Sequence, residues 1–450
     1  MHWSMAGHLW EPAGCFSKSK WLASQPEKVA GRPLTPAATR FLTRVLLNSV
    51  FPSLKALAPR LIQFNSICTK MEAFLVENLT AWITSLDGSE KLNFRGFGLN
   101  ALFTLSRTPL HLPFLHAAAR FWNPVTHVFS FGGQEVCPTL EDFQVLMESE
   151  SQEEILPQFR FGHAQALGRM CGLAAHDARS LVCNGELDIL GLIHRFSDAG
   201  DRSNHHWQGF RQHALCLCLL SRFLLSSGFG GANIRLVEVA QGLREGKSCI
   251  AMTLAETLMG LDAFHRRETT RFAGSPLLLQ VWLMDKLQVV DSCPAYSARG
   301  YFFRQHLVNA LDERWWFDWM CSLSADRIAW RCPWLNLPAM SYSMSRLIGI
   351  QLVGLTHCVF YFPFRFLCQF GHDQICPSEG IEYPAAFPVR GAQLARYATA
   401  WRTRELLAPA PTFSCTLSDE CLDWLNEEAQ VGPSLASEAS TSSGRGCRDT

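Results

Sequence analysis

From Ile67 onward, apolar residues recur at three- and four-residue intervals over most of the chain, a spacing that predicts a mainly helical protein. Met71, Phe74, Leu75 and Leu79 mark the first stripe, which runs to Trp82 and closes at an Asp87-Gly88 turn. Further helices are predicted at His213 to Ser227, Met252 to His265 and Pro276 to Val290. In the last, Ser275 stands at the N-cap and Pro276 at the first helical position, with Leu279, Trp282, Leu283 and Leu287 on the buried face. The helical period breaks once near the start. Phe129 and Phe131 alternate with Val128 and Ser130, Gly132-Gly133 supplies a turn, and Gln134 to Cys137 returns as a second short strand. After Pro138 a helix opens. Thr139 is placed to cap its free amides, Glu141 and Asp142 put negative charge in the first turn, and Asp142 occupies the capping-box position.

The stretch Tyr361 to Pro377, YFPFRFLCQFGHDQICP, sets two strongly bonding side chains among aromatics. Arg365 and Gln369 are four apart, which on a helix places both on one face, while Phe362, Phe366 and Phe370 form another stripe. Gly371 then reads as a left-handed C-cap, and Pro377 keeps the helix from resuming. The expected role of Arg365 with Gln369 is a buried clamp on a carbonyl or carboxylate, with Glu141, Asp142 or another group as its partner.

Punctuation divides the chain into four parts. Residues 1–60 form a Pro-containing N-terminal extension with one short helical candidate at Arg40 to Asn48, and 61–385 form a single large helical domain. Residues 386–430 form a C-terminal helical extension, with helices expected through Trp401 and Leu407 and from Ser418 to Glu428. Residues 431–450, rich in Ser, Gly and Ala, read as a disordered tail. The fold class expected is therefore mainly α, with one short β-hairpin near its start and flexible extensions.

Composition adds a large aromatic core, since 48% of residues are hydrophobic and there are 31 Phe and 14 Trp but only 6 Tyr. Lys plus Arg and Asp plus Glu both number 40, and this balance argues against a dedicated nucleic-acid module. The 17 Cys include no Cys-x-x-Cys pair and are scattered through apolar segments, which suggests reduced, buried thiols in the cytosol or nucleus. The N-terminus lacks the basic and apolar regions of a secretory signal. The most membrane-like run, Leu347 to Leu367, is interrupted by Gln351, His357, Pro363 and Arg365, so a buried helix or strand pair is expected instead.

Several motifs come near to chemistry. Gly242 to Ser248 is one residue short of a phosphate-binding loop and follows no strand, so a polar turn is the reading. Cys368, His372 and Cys376, with His357 and Cys358 upstream, lack a paired-ligand knuckle, and buried thiols beside a loop histidine explain them. His205-His206 reads as an exposed pair. Aspartic protease, polymerase and hydrolase signatures are absent. No catalytic, cofactor-binding or metal residue is assigned. Arg365, Gln369, Gly371, Trp282, Glu141 and Asp142 stand instead as fold-signature or interaction residues.

Four segments, in order, resemble the plant mobile domain family, over about residues 65–385. PVTHVFSFGGQEVCPTLEDFQVL resembles its opening hairpin and helix, with the Thr-Leu-Glu-Asp start at Thr139 to Asp142. LLLQVWLMDKL, residues 277–287, resembles its Leu-Leu-Gln-x-Trp helix, and Pro333 to Pro338 resembles its Trp and Pro turn. FRFLCQFGHDQICP resembles its closing signature, which maps onto Arg365, Gln369, Phe370, Gly371, Gln374 and Pro377. The resemblance implies a transposon-associated nuclear protein without established catalytic residues, acting through protein contacts in transposon biology or gene silencing. An "aminotransferase-like" label attached to such proteins would need a Schiff-base lysine beside a phosphate loop, and neither Lys286 nor Lys247 has that setting. The other expectation is an accessory DNA-binding or transposase-like protein, with Arg266, Arg267 and Arg271 as a basic patch. Protein partners, no cofactor and no membrane are expected.

Overall fold

A computed structural model describes residues 74–430 apart from 150, 152, 159–161, 199, 201–203, 228–231, 290–310, 331–338, 344–348, 375, 377–380 and 411–418. The N-terminal extension with its Arg40 to Asn48 candidate, the Pro333 to Pro338 turn, Pro377 and the tail 431–450 lie outside these residues. By its contacts the chain divides between Ser66 and Ile67, and every described residue belongs to the second unit.

The hairpin forms where its alternation and its glycines place it. Strands β1 (Trp122–Asn123), β2 (Val128–Phe131) and β3 (Gln134–Val136) make an antiparallel sheet in that order, with Phe129 facing Val136. Gly132 and Gly133 turn the chain with φ of 55° and 74°, the pair of positive values that a two-residue hairpin loop needs. All of β3 is buried. Helix α1 (Leu140–Leu146) follows behind the expected capping box: the Thr139 hydroxyl accepts the Asp142 N–H at 3.0 Å, and Asp142 Oδ2 accepts the Thr139 N–H at 3.1 Å.

Helix α2 (His163–Met170) precedes a second antiparallel sheet of β4 (Val182–Cys183), β5 (Glu186–Leu187) and β6 (Ala232–Asn233). The helix predicted from His213 starts earlier, spans His205–Leu219, and runs on as a π-turn over Leu220–Leu224. Next come α3 (Leu236–Arg244), α4 (Ile250–His265) and α5 (Pro276–Lys286). Every residue of α5 is buried, the polar Gln280, Asp285 and Lys286 included. The buried Gln280 is bonded at both ends of its amide: Oε1 accepts the His111 N–H at 2.6 Å and Nε2 donates to the Pro109 carbonyl at 2.9 Å.

The C-terminal half overturns the expectation of a mainly α protein in which one hairpin is the sole β element. Strands β8 (Ile350–Val353), β9 (His357–Tyr361) and β10 (Phe387–Pro388) form an antiparallel sheet in the order β10-β9-β8, and β7 (Met340–Ser343) pairs with β11 (Glu405–Leu407). With these the described residues hold four small sheets, so the fold is mixed and helix-rich. The cause lies in burial. Most of β8 and β9 is buried, so the segment reads as one apolar run without a period of two, and such runs look the same in a buried helix. Helix α6 (Gly391–Arg402) and helix α7 (Asp419–Gln430) complete the described chain. Among the described residues no helix is long and apolar enough to cross a membrane.

The predicted helix through Phe362, Phe366 and Phe370 also does not form. Two single 3-10 turns, Pro363–Arg365 and Leu367–Phe370, replace it. Pro363 holds Phe362 at φ −123°, ψ 83°, the extended region imposed on a residue before proline. Phe366, at φ −134° and ψ 35°, separates the two turns. Cys368 departs from the reduced-thiol expectation: it is disulfide-bonded, while Cys137, Cys171, Cys216, Cys218, Cys249 and Cys358 are buried as free thiols.

Candidate functional site

Arg365, Gln369 and Trp282 converge on one short segment, the strand and helix start from Glu135 to Asp142. Arg365 is buried at 4% exposure. Its Nε donates to Glu135 Oε2 at 2.8 Å, its second terminal nitrogen pairs with Glu135 Oε1, and Nη1 donates to the Tyr383 hydroxyl at 2.7 Å. Burial works against the charged guanidinium, but the Glu135 carboxylate outweighs it and holds the group above its usual range. This two-pronged contact uses the geometry that suits arginine and not lysine. Trp424 of α7 covers the guanidinium, with 4.8 Å from Cζ to the ring centre.

Gln369 grips the backbone two residues further along. Its Oε1 accepts the Cys137 N–H at 2.8 Å and its Nε2 donates to the Cys137 carbonyl at 2.9 Å. Arg365 meets the Glu135 side chain and Gln369 the Cys137 backbone, so both reach one partner segment without the α-helix that their spacing suggests. Gly371 ends the second turn in the left-handed region, at φ 79°.

Two more segments meet the same stretch. The Trp282 Nε1–H of α5 donates to Asp142 Oδ2 at 2.9 Å, so a single carboxylate oxygen takes this bond together with those from the Thr139 N–H and hydroxyl. Glu141 Oε1 accepts the Ser341 N–H of β7 at 2.7 Å. Burial, partly offset by that bond, pushes the Glu141 carboxyl up to about 7. Tyr361 lies nearby. Burial first, and Glu141 second, raise its phenol well above the ordinary range. Glu141 Oε2, Asp142 Oδ1 and the Tyr361 hydroxyl are buried without a hydrogen-bond partner.

The clamp foreseen for Arg365 and Gln369 is thus present, but its carboxylate is Glu135, not Glu141 or Asp142. Glu135 was hidden because its 230-residue separation from Arg365 leaves no local signal. A second buried pair also lacked one: His127 Nε2 lies 3.1 Å from Asp262 Oδ2, and Asp262 Oδ1 accepts the Trp122 Nε1–H at 2.9 Å. Chemically, the Glu135 to Asp142 segment is a fastening: its groups meet one another and the backbone, and none of them lines the cavity between α2, α3 and α6.

The remaining motifs are dispersed. In Gly242 to Ser248, α3 ends at Arg244, Gly246 turns at φ 83°, and Lys247 faces Glu245 at 3.0 Å. Gly242 serves packing, since a Cβ there would meet Ile155 at 2.7 Å. Lys286 donates to the Trp330 carbonyl at 2.6 Å. His372 bonds the Ala408 carbonyl at 2.7 Å, and no trio of metal-ligating side chains occurs among the described residues. His205 and His206 open their helix exposed, behind the Asn204 cap. Arg266 and Arg267 lie exposed where α4 ends, Arg266 at 3.7 Å from Asp262.

Sequence reasoning missed a cavity of about 810 Å³ walled by segment 153–158, α2, α3 and α6. Ile155, Val237, Ala398 and Trp401 give it an apolar floor. His163 and Glu238 pair inside it at 2.9 Å, and Glu238 also accepts the Gln158 N–H at 2.8 Å. Glu154 lines it too. Its Oε2 accepts the Ala251 N–H at the start of α4, and burial, only partly countered by hydrogen bonds to Ser248 and Ala251, pushes its carboxyl up to about 8. No family model matches the chain, and neither a curated protein nor a solved structure matches it.

Proposed function

We propose that the chain is a non-enzymatic interaction protein of plant mobile domain type, transposon-derived and nuclear, acting through protein contacts in transposon biology or gene silencing. The observation that supports this reading is how the signature residues are used. Arg365, Gln369, Asp142 and Trp282 bond Glu135, Cys137, Thr139 and one another in the interior. Residues so engaged hold a scaffold together, and a scaffold of this kind leaves recognition to its surface.

The test is purification of the tagged full-length chain from plant nuclei, with and without nuclease, over a range of salt. Protein partners that reproducibly exceed the untagged control, and that resist nuclease and salt, are the expected result. Absence of any such partner overturns the reading. Retention that depends on DNA and falls steeply with salt transfers it to the accessory DNA-binding or transposase-like alternative.

A further inference from the structure

The cavity between α2, α3 and α6 has the size and lining of a small-molecule site. Its volume of about 810 Å³ falls within the range, roughly 300–1,000 Å³, in which proteins enclose single organic ligands. The floor is apolar and its shape is fixed by close packing, since Ile155 rests directly on Gly242 of α3.

The charges on its walls, four carboxylates with Arg169, Lys247, Arg402 and His163, are unevenly paired. Glu238 is occupied by His163 and the Gln158 N–H. Glu153 and Glu245 both face Lys247, at 3.8 and 3.0 Å. Glu154 bonds the Ala251 N–H at the start of α4. Two cations remain. Arg169 and Arg402 line the cavity, are exposed, and meet no carboxylate among the described residues; Arg402 bonds only a carbonyl of its own helix, that of Ala398 at 3.2 Å. On the same wall the Trp401 Nε1–H is buried without an acceptor.

An apolar floor with two unmatched guanidinium groups defines its complement. We propose that this cavity binds a small amphipathic organic anion, the apolar body seated on Ile155, Val237, Ala398 and Trp401 and the anionic group held by Arg169 and Arg402. The site is independent of the fastening around Glu135 and goes beyond a role in protein contacts.

Two dyes that share an aromatic body test it with the purified full-length chain: anilinonaphthalenesulfonate, which carries an anion, and N-phenylnaphthylamine, which does not. The sulfonate is expected to bind saturably, one molecule per chain, and more tightly than the neutral dye. Joint replacement Arg169→Ala and Arg402→Ala weakens the sulfonate roughly tenfold and leaves the neutral dye unchanged. Ala398→Trp, which fills the floor, removes both. Because the two arginines are exposed, their variant keeps the fold and decides the matter even if Ala398→Trp does not fold. The proposal is overturned if the wild type shows no saturable site, or if the arginine variant binds the sulfonate as well as wild type does.

Discussion

The Glu135 to Asp142 segment and the α2–α3–α6 cavity employ arginine in opposite ways. In the interior, three nitrogens of Arg365 are bonded to Glu135 and Tyr383 and aromatic rings cover its face. At the cavity, Arg169 and Arg402 stand exposed with no carboxylate partner among the described residues. The difference follows from the medium. A charge removed from water needs a full set of partners, whereas solvent supports an unmatched one at the surface and leaves it free for a ligand. Damage to the first region should therefore appear as lost fold, and damage to the second as lost binding in an intact fold.

The sharpest break of that contrast is Arg365→Ala. It strands the buried Glu135 carboxylate and should cost about 3–5 kcal/mol in urea unfolding, the usual result of removing one half of a buried pair. A cost near zero would mean that the arginine faces solvent or a partner. Gln369→Ala and Trp282→Phe come next. Each leaves buried groups of the Cys137 backbone or Asp142 short of a bond, at about 1–3 kcal/mol apiece in the same measurement.

A smaller effect concerns pH. Glu154, raised from 4.5 to about 8, keeps its proton in the folded chain where the unfolded chain has lost it, and Glu141 and Glu256 do so up to about 7. Between 4.5 and 8 the folded state thus holds more protons, so this contribution to stability is largest at the acid end and declines as pH rises. Glu154→Gln should lose less stability than wild type across that window, as read from melting temperatures at a series of pH values. The smallest expected change is that of Arg169→Ala with Arg402→Ala, within about 0.5 kcal/mol of wild type per site. A larger loss would place these arginines with Arg365 as structural groups.

Legibility in the sequence followed the range of the interactions. The hairpin, the Thr139 cap and the Ser275-Pro276 helix start were readable because alternation, paired glycines and capping residues act over a few positions. The strand pair β8 and β9 was not, since burial erased its alternation. In Phe362 to Phe370 the four-residue spacing imitates a helix that Pro363 and the backbone of Phe366 interrupt. The role of Arg365 as a buried clamp was readable from its aromatic setting, but its partner was not. The cavity left no trace, because its lining comes from four separate segments and its arginines look like ordinary surface charge.

The span of the Glu135 contacts has a consequence for synthesis. Arg365 lies 230 positions after Glu135, and Gln369 lies 232 after Cys137. A ribosome adding about 5–20 residues per second therefore exposes β3 for tens of seconds before its fastening emerges. Over that interval the nascent chain carries an unmatched carboxylate on a strand destined for the interior, and a transcript truncated before Arg365 encodes a product that can never bury it properly. Such products are natural clients for chaperones and proteases, so the expression of intact domain depends on the last quarter of its length.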